Sequence, residues 1–259
     1  MTRIALAGAT GRMGHAIAGV IAEDPLLTLT AAYGRDDDEA LGTSLRGITV
    51  TKLGPIDADV VIDFTRPDGT RAVIERCAAA KCPLVSGTTG LGAEELAALD
   101  ALAADVPVVW APNMSVGVTL LFHLAEQASR LLGPDFDAEI VEMHHRHKVD
   151  APSGTAVRLA ERVAAGRGLD PAEAVVHGRS GHVGPRPDGE IGVMTLRGGS
   201  VIGDHTLVLA GPGERLELSH RAQDRSIFAR GAVRAARWVV AQAPGRYEMP
   251  HVLGIDALG

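Results

Sequence analysis

The residues best equipped for chemistry stand in one run, His144-His145-Arg146-His147-Lys148-Val149-Asp150-Ala151-Pro152-Ser153-Gly154-Thr155. Three imidazoles, a guanidinium and an ammonium fall in five consecutive positions. An imidazole ordinarily titrates near physiological pH, so it can hand over a proton. A lysine beside it can hold a carboxylate or polarise an acceptor. Ala156, Leu159, Ala160, Val163 and Ala164 then recur at helical spacing and predict a helix over residues 154–165. Ser153 suits its N-cap after the Pro152 turn, and Gly166 and Gly168 close it. The N–H groups of Gly154, Thr155 and Ala156 would point out of that helix start and, with the dipole, form an anion site. The plain alternative is a solvated basic loop, the usual nature of a charge run. The anion-binding helix start directly behind it weighs against that alternative.

A second constellation opens the chain. Residues 4–7 are an apolar strand, followed at once by Gly8-Ala9-Thr10-Gly11-Arg12-Met13-Gly14. Met13, Ile17, Val20 and Ile21 give a helical face up to Asp24-Pro25. Strand, glycine loop and helix is the context in which glycines let the backbone approach a pyrophosphate seated on a helix N-terminus. The spacing is GxxGxxG rather than the commoner GxGxxG, so a tight turn that binds nothing stays open. Residues 27–33 read as the next strand, where a dinucleotide-binding unit usually ends in an acid for the ribose hydroxyls. Here stand Gly34-Arg35, then Asp36-Asp37-Asp38. An arginine there suits a 2′-phosphate, hence NADPH; an ordinary loop charge is the alternative.

The elements that must position these groups alternate. A short strand is expected near 48–51, a buried strand at 60–64, a helix at 68–80 and a strand at 83–86. A helix at 93–104 and a strand at 106–110 follow. The pattern is that of a doubly wound parallel sheet with its ligand crevice at the carboxyl ends of the strands. Residues 8–14, Thr65-Arg66, 87–90 and 111–115 would gather there. The character then changes. A helix at 116–132 and a strand at 136–143 deliver the histidine run, and an extended loop is expected over 177–189. Strands at 191–197, 205–209 and 216–220 follow, an α+β arrangement, and an amphipathic helix over 225–241 comes last. Residues 1–115 and 225–259 are therefore expected to form one domain, and 116–224 a second.

Composition narrows the partners. The chain has 259 residues, 46 % of them hydrophobic and only 3 % aromatic, which suits an Ala/Val/Leu/Gly interior. A net charge of −7 makes the molecule a poor partner for nucleic acid or an anionic membrane. Cys77 and Cys82 form neither a disulfide framework nor a zinc pattern. Met1-Thr2-Arg3 leads straight into a strand, and no apolar stretch reaches membrane-spanning length, so a soluble cytoplasmic protein is expected.

Residues 8–14, 61–67, 87–90, 111–117, 142–156, 211–215 and 219–232 together resemble the 4-hydroxy-tetrahydrodipicolinate reductase (dihydrodipicolinate reductase) family of lysine and diaminopimelate synthesis. The resemblance covers essentially the full length, and the histidine–lysine stretch with its Ser-Gly-Thr turn is its specific part. It implies an NAD(P)H-dependent oxidoreductase that adds hydride to a conjugated cyclic dicarboxylate and then supplies a proton. His144 would be the proton donor and Lys148 its cationic partner, with His145, Ser153, Gly154 and Thr155 holding the substrate. Gly8, Ala9, Thr10, Gly11, Arg12, Met13 and Arg35 would hold the cofactor, with Phe64, Arg66, Gly87, Thr88 and Thr89. Ala111, Pro112, Asn113 and Met114 would complete that set. The implied fold is α/β, a Rossmann-type doubly wound parallel sheet plus a smaller α+β substrate and oligomerisation domain, assembled as a homotetramer. Many members carry an acid where this chain has Gly34, while Arg35 keeps its place. Preference is therefore expected to lean toward NADPH, with NADH the second candidate.

Plainer readings apply to the other histidines. His147 is expected to be structural, and His177, His182, His205, His220 and His251 surface or core residues. His144-x-x-His147 could suggest zinc, but no Cys or acid cluster completes a tetrahedral set, so no metal is expected. A non-catalytic NADPH-binding module, or a dehydrogenase for an amino acid or semialdehyde, are the rival functions.

Overall fold

The computed structural model describes residues 1–255; positions 256–259 of the expected first domain lie outside the described residues. Strand β1 (Thr2–Ala7) leads through the glycine loop into α1 (Arg12–Glu23), then β2 (Leu27–Gly34), β3 (Ser44–Leu45) and β4 (Ile48–Lys52). Next come β5 (Val60–Asp63), α2 (Pro67–Ala80), β6 (Leu84–Ser86), α3 (Ala93–Ala103) and β7 (Pro107–Trp110). The chain continues through α4 (Val116–Leu132), β8 (Asp137–His144), α5 (Gly154–Arg167) and the single turn α6 (Pro171–Ala174). Strands β9 (Val175–His177), β10 (Ile191–Arg197), β11 (Gly203–Gly211) and β12 (Glu214–Ala222) follow. It closes with α7 (Ser226–Val239), β13 (Gly245–Tyr247) and α8 (Met249–Leu253). Two compact units result: Met1–Val116 with the segment from Arg225 on, and Gly117–Asp224.

The first unit carries an eight-stranded sheet in the order β13-β7-β6-β5-β1-β2-β4-β3. Every pair is parallel except the β3–β4 hairpin. Neighbouring β1 and β5 send their connections to opposite sides, which opens a crevice at their carboxyl ends. Alternation along the strands splits the interior into two layers. Ile4, Leu6 and Ile62 pack with Ile17 and Ile21 of α1 and with Ala232, Ala236 and Val239 of α7. Ala5, Val61, Leu84 and Val108 pack with Val73 and Ile74 of α2 and Leu99 and Leu102 of α3. Each fully buried aliphatic side chain contributes about 1.5–3 kcal/mol. Shaving one of these strands would therefore loosen the crevice as well as the core.

The second unit is a mixed five-stranded sheet, β12-β11-β8-β10-β9, with β8 parallel to β10 and antiparallel to β11. Ala138 and Ile140 of β8, Ile191 and Val193 of β10, and Leu207 and Leu209 of β11 pack on Leu159, Ala160 and Val163 of α5. The buried phase of β8 runs Ala138, Ile140, Glu142, His144. The same face thus passes from apolar to ionisable at its carboxyl end.

Three expectations need correction. The weak stretch before Pro55 holds two strands, because Arg46 and Gly47 at positive φ turn the chain into a hairpin. The loop expected over 177–189 begins one residue later, because His177 ends β9; β9 and the preceding α6 have too few residues to show a period. The terminal helix is not the last element: β13 pairs with β7 and extends the first sheet by three residues.

Candidate active site

In the second unit the register of three strands converges on Glu142. Thr195 lies beside it on β10 and His205 on β11, while Arg197 is beside His144. The Glu142 side chain is fully buried. Its Oε2 is 2.6 Å from His144 Nδ1 and accepts from Arg197 at 3.0 Å. Its Oε1 accepts from the Ser153 N–H at 3.1 Å, from Thr195 Oγ1 at 3.2 Å and from the other Arg197 nitrogen at 3.0 Å. Burial pushes the Glu142 carboxyl up, but Arg197, His144 and the Ser153 N–H outweigh it and hold it below the ordinary carboxylate range. Arg197 also donates to the Asp150 carbonyl at 2.6 Å, which ties down the loop behind His144.

Ser153 caps α5 as its sequence suggested, its Oγ accepting from the Ala156 N–H at 3.2 Å. The Ala156 N–H, expected to face an anion, is therefore taken by the cap. The same Oγ lies 3.0 Å from His205 Nε2. The His205 ring stands edge-on to His144, centroids 5.2 Å apart. Burial above all, then the charge of His144, push His205 down to about 4 against the pull of Glu142. Of two touching imidazoles, only His144 has a carboxylate on its ring. Lys148 Nζ pairs with Asp150 Oδ2 at 2.9 Å rather than with His144, and this bond is the main cause holding Asp150 below its ordinary value. Gly154 is exposed, and His145 and Thr155 are half-buried. His147 is exposed, its ring tilted against His145 at 6.3 Å.

Sequence reading missed Glu142, Thr195, Arg197 and His205 as parts of this cluster. For Glu142 a signal existed: a Glu and a His two apart in the buried phase of one strand. Thr195, Arg197 and His205 are visible only once strand order is known.

In the first unit the expected cofactor residues lie at the carboxyl ends of five parallel strands. Gly8, Ala9, Thr10, Gly11, Arg12 and Met13 follow β1, Arg35 follows β2, and Phe64 and Arg66 follow β5. Gly87, Thr88 and Thr89 follow β6, while Ala111, Pro112, Asn113 and Met114 follow β7. A Cβ on Gly14 would stand 2.3 Å from the Gly8 carbonyl oxygen, so only glycine lets α1 start this close to β1. A Cβ on Gly87 would fall 2.2 Å from the Phe64 ring, which occupies that space. Thr10 Oγ1 donates to Asp38 Oδ2 at 2.6 Å, drawing the loop after β2 over the glycine turn. Arg35 is exposed, its Nε 3.6 Å from Asp37. Behind these loops lies the fully buried Asp63 carboxylate. It accepts from Thr65 Oγ1 at 2.6 Å, Thr70 Oγ1 at 2.7 Å, Ser86 Oγ at 2.8 Å and Thr88 Oγ1 at 3.1 Å.

A glycine turn that a Cβ would fill, opening on a helix start, fits a dinucleotide pyrophosphate. Among the described residues no group of three or more His, Cys, Asp or Glu could hold a metal ion, and no helix is long and apolar enough to cross a membrane.

Comparison with known proteins gives a consistent result. Residues 2–114 match the family described as dihydrodipicolinate reductase, N-terminus, and residues 117–253 match dihydrodipicolinate reductase, C-terminus. The 4-hydroxy-tetrahydrodipicolinate reductase of Alkalilimnicola ehrlichii is 48 % identical over 265 residues, covering 98 % of this chain and 99 % of that one. The protein of the same name from Thiobacillus denitrificans is 48 % identical over 263 residues, covering 98 % of each. Among solved structures, dipicolinate-bound dihydrodipicolinate reductase from Paenisporosarcina sp. TG-14 superposes with a TM-score of 0.77 at 25 % identity. It covers 96 % of this chain and 97 % of that one.

Proposed function

The chain belongs to the 4-hydroxy-tetrahydrodipicolinate reductase family, oxidoreductases of lysine and diaminopimelate biosynthesis, and from that premise we propose that His144 is its proton donor and NADPH its preferred reductant. The observation that carries the proton-donor reading is the 2.6 Å bond between His144 Nδ1 and the buried Glu142 carboxylate; the choice of reductant rests on Arg35, exposed just past β2. It commits one ring nitrogen and leaves Nε2 for proton transfer.

A bound reduced nicotinamide supplies the hydride. The chain's own residues do the rest. The glycine turn and the Thr88 and Met114 loops hold the nucleotide, and Arg35 grips the 2′-phosphate that NADPH alone carries. The dicarboxylate is held by His145 and by the main chain of Gly154 and Thr155 at the start of α5, where the helix dipole favours an anion; Ser153, expected to touch it, is buried with its N–H on Glu142 and its Oγ on the Ala156 N–H and His205, so it shapes the turn instead. Lys148 exchanges Asp150 for a substrate carboxylate, and its charge stays beside the ring as negative charge develops. His144 Nε2 then delivers the proton. A homotetramer working in the cytoplasm, built through the sheet of the second unit, is part of the same proposal.

Steady-state kinetics test it, with coupled generation of the unstable substrate. His144→Gln keeps bulk and hydrogen bonding but cannot donate a proton near neutral pH, so kcat should fall by about a hundredfold to ten-thousandfold. The Kd for NADPH should hold. Lys148→Ala should lower kcat and raise the dicarboxylate KM, while His147→Gln should be mild. An active His144→Gln beside a dead His147→Gln would show the roles misassigned, and activity in all three would remove the loop from the chemistry.

A further inference from the structure

Glu142 has no part in substrate contact as described above, yet it is the most heavily bonded side chain in the second unit's site. Its two oxygens are not equivalent. Oε2 faces His144 Nδ1, whereas Oε1 faces the Ser153 N–H at the entrance to the α5 turn, and Arg197 spans both. An ionised carboxylate can only accept hydrogen bonds. The partners that keep Glu142 ionised therefore require the proton of His144 to sit on Nδ1 in the neutral ring. Nε2 is then the nitrogen that gains and gives the transferable proton. Space in front of it is kept by another absence. A Cβ on Gly203, at the start of β11, would lie 2.9 Å from His144 Nε2 and 3.3 Å from Cδ2.

We propose that Glu142, braced by Arg197, is a positioning residue that holds His144 as the Nε2 acid and sets the Ser153 turn in register with it, while Gly203 keeps the Nε2 side open. The inference rests on the reading of His144 as proton donor. One carboxylate thus orients the acid and the anion-binding turn together, so the two cannot drift apart independently. A glutamine at position 142 cannot do both. It has one acceptor oxygen, so either His144 Nδ1 or the Ser153 N–H meets an NH2 group. If His144 meets it, the ring must accept at Nδ1 and its neutral form carries the proton on the other nitrogen.

Kinetics on four proteins separate the proposal from the reading beneath it: the parent, Glu142→Gln, His144→Gln and the double variant. Glu142→Gln should lower kcat by about a hundredfold with the NADPH KM within about twofold, and its solvent deuterium isotope effect should exceed the parent's as proton transfer becomes limiting. The double variant should be no more than about threefold below His144→Gln, because residues that act as one unit are not additive. Parental turnover in His144→Gln overturns the proton-donor reading itself. An impaired His144→Gln beside a parental Glu142→Gln, or losses that multiply in the double variant, overturns the positioning role alone. Gly203→Ala should lower kcat with the NADPH KM within about twofold, and parental turnover there overturns the open-space part. One measurement needs no variant and so decides the matter even where Glu142→Gln fails to fold. Histidine nitrogen NMR of the parent protein at mildly alkaline pH should show His144 protonated on Nδ1 and bare on Nε2. The reverse tautomer overturns the proposal.

Discussion

His205 should make the second unit sensitive to mild acid. The residue is 4 % exposed, and burial is the main reason its pKa sits at about 4 rather than 6.5. An unfolded chain would protonate this imidazole as pH falls through 6.5; the folded chain refuses the proton until about 4. The unfolded state thus binds more protons across that window, so stability is highest above it and declines as pH falls. A factor of ten in proton affinity is worth about 1.4 kcal/mol, so the cost is about 2 kcal/mol by pH ~5 and about 3 kcal/mol near pH ~4. His205→Gln keeps a nitrogen for the Ser153 hydroxyl but has nothing to titrate. Trp110 and Trp238 both lie in the first unit, so fluorescence would report on the wrong half. The suitable assay is urea unfolding followed through amide resonances of β8 and β11, for parent and variant, at several pH values. The stability difference between the two proteins should move in the variant's favour by about 2 kcal/mol between pH ~7.5 and pH ~5. A difference that stays constant with pH would refute the argument and show that His205 is not held neutral by burial.

Two further outcomes follow from the first unit. Arg35→Ala should weaken NADPH by about tenfold to a hundredfold and leave NADH nearly unchanged, since one charged hydrogen-bonding partner of the 2′-phosphate is lost; equal losses measured by titration calorimetry would return Arg35 to an ordinary loop charge. Gly87→Ala places a methyl group 2.2 Å from the present Phe64 ring, so it should cost about 1–3 kcal/mol in thermal unfolding and weaken cofactor binding; an unchanged melting curve would mean that the ring is free to swing away.

The parts of the fold most legible in the sequence were those written in short-range chemistry. The turn of residues 8–14 into α1, and the Ser153 cap of α5, follow from spacing and cap chemistry over a few residues, and both stand where they were expected. Strand β13 has only three residues and no period, so nothing local distinguishes it from loop; its existence depends on the edge that β7 offers. The histidine run was legible as chemistry, but the partners that orient it were not. Arg197 lies 55 residues from Glu142, and His205 lies 52 residues from Ser153. Only the order β11-β8-β10 makes them neighbours. Lys148 shows the complementary limit: the sequence supplies an ammonium near His144, whereas its immediate partner, Asp150, is a matter of loop geometry.

The buried Asp63 has a consequence for how this protein meets its nucleotide. Four hydroxyls from three stretches of chain close on one carboxylate, and they fasten the ends of β5 and β6 to each other as the core forms. Ordering of these loops is thus completed during folding, and little rotational freedom is left there for a ligand to remove. If these loops hold the nucleotide as proposed, they act as a finished mould rather than a closing hand. Their association with the nucleotide should be quick and limited by encounter, with discrimination between nucleotides expressed in how long each one stays.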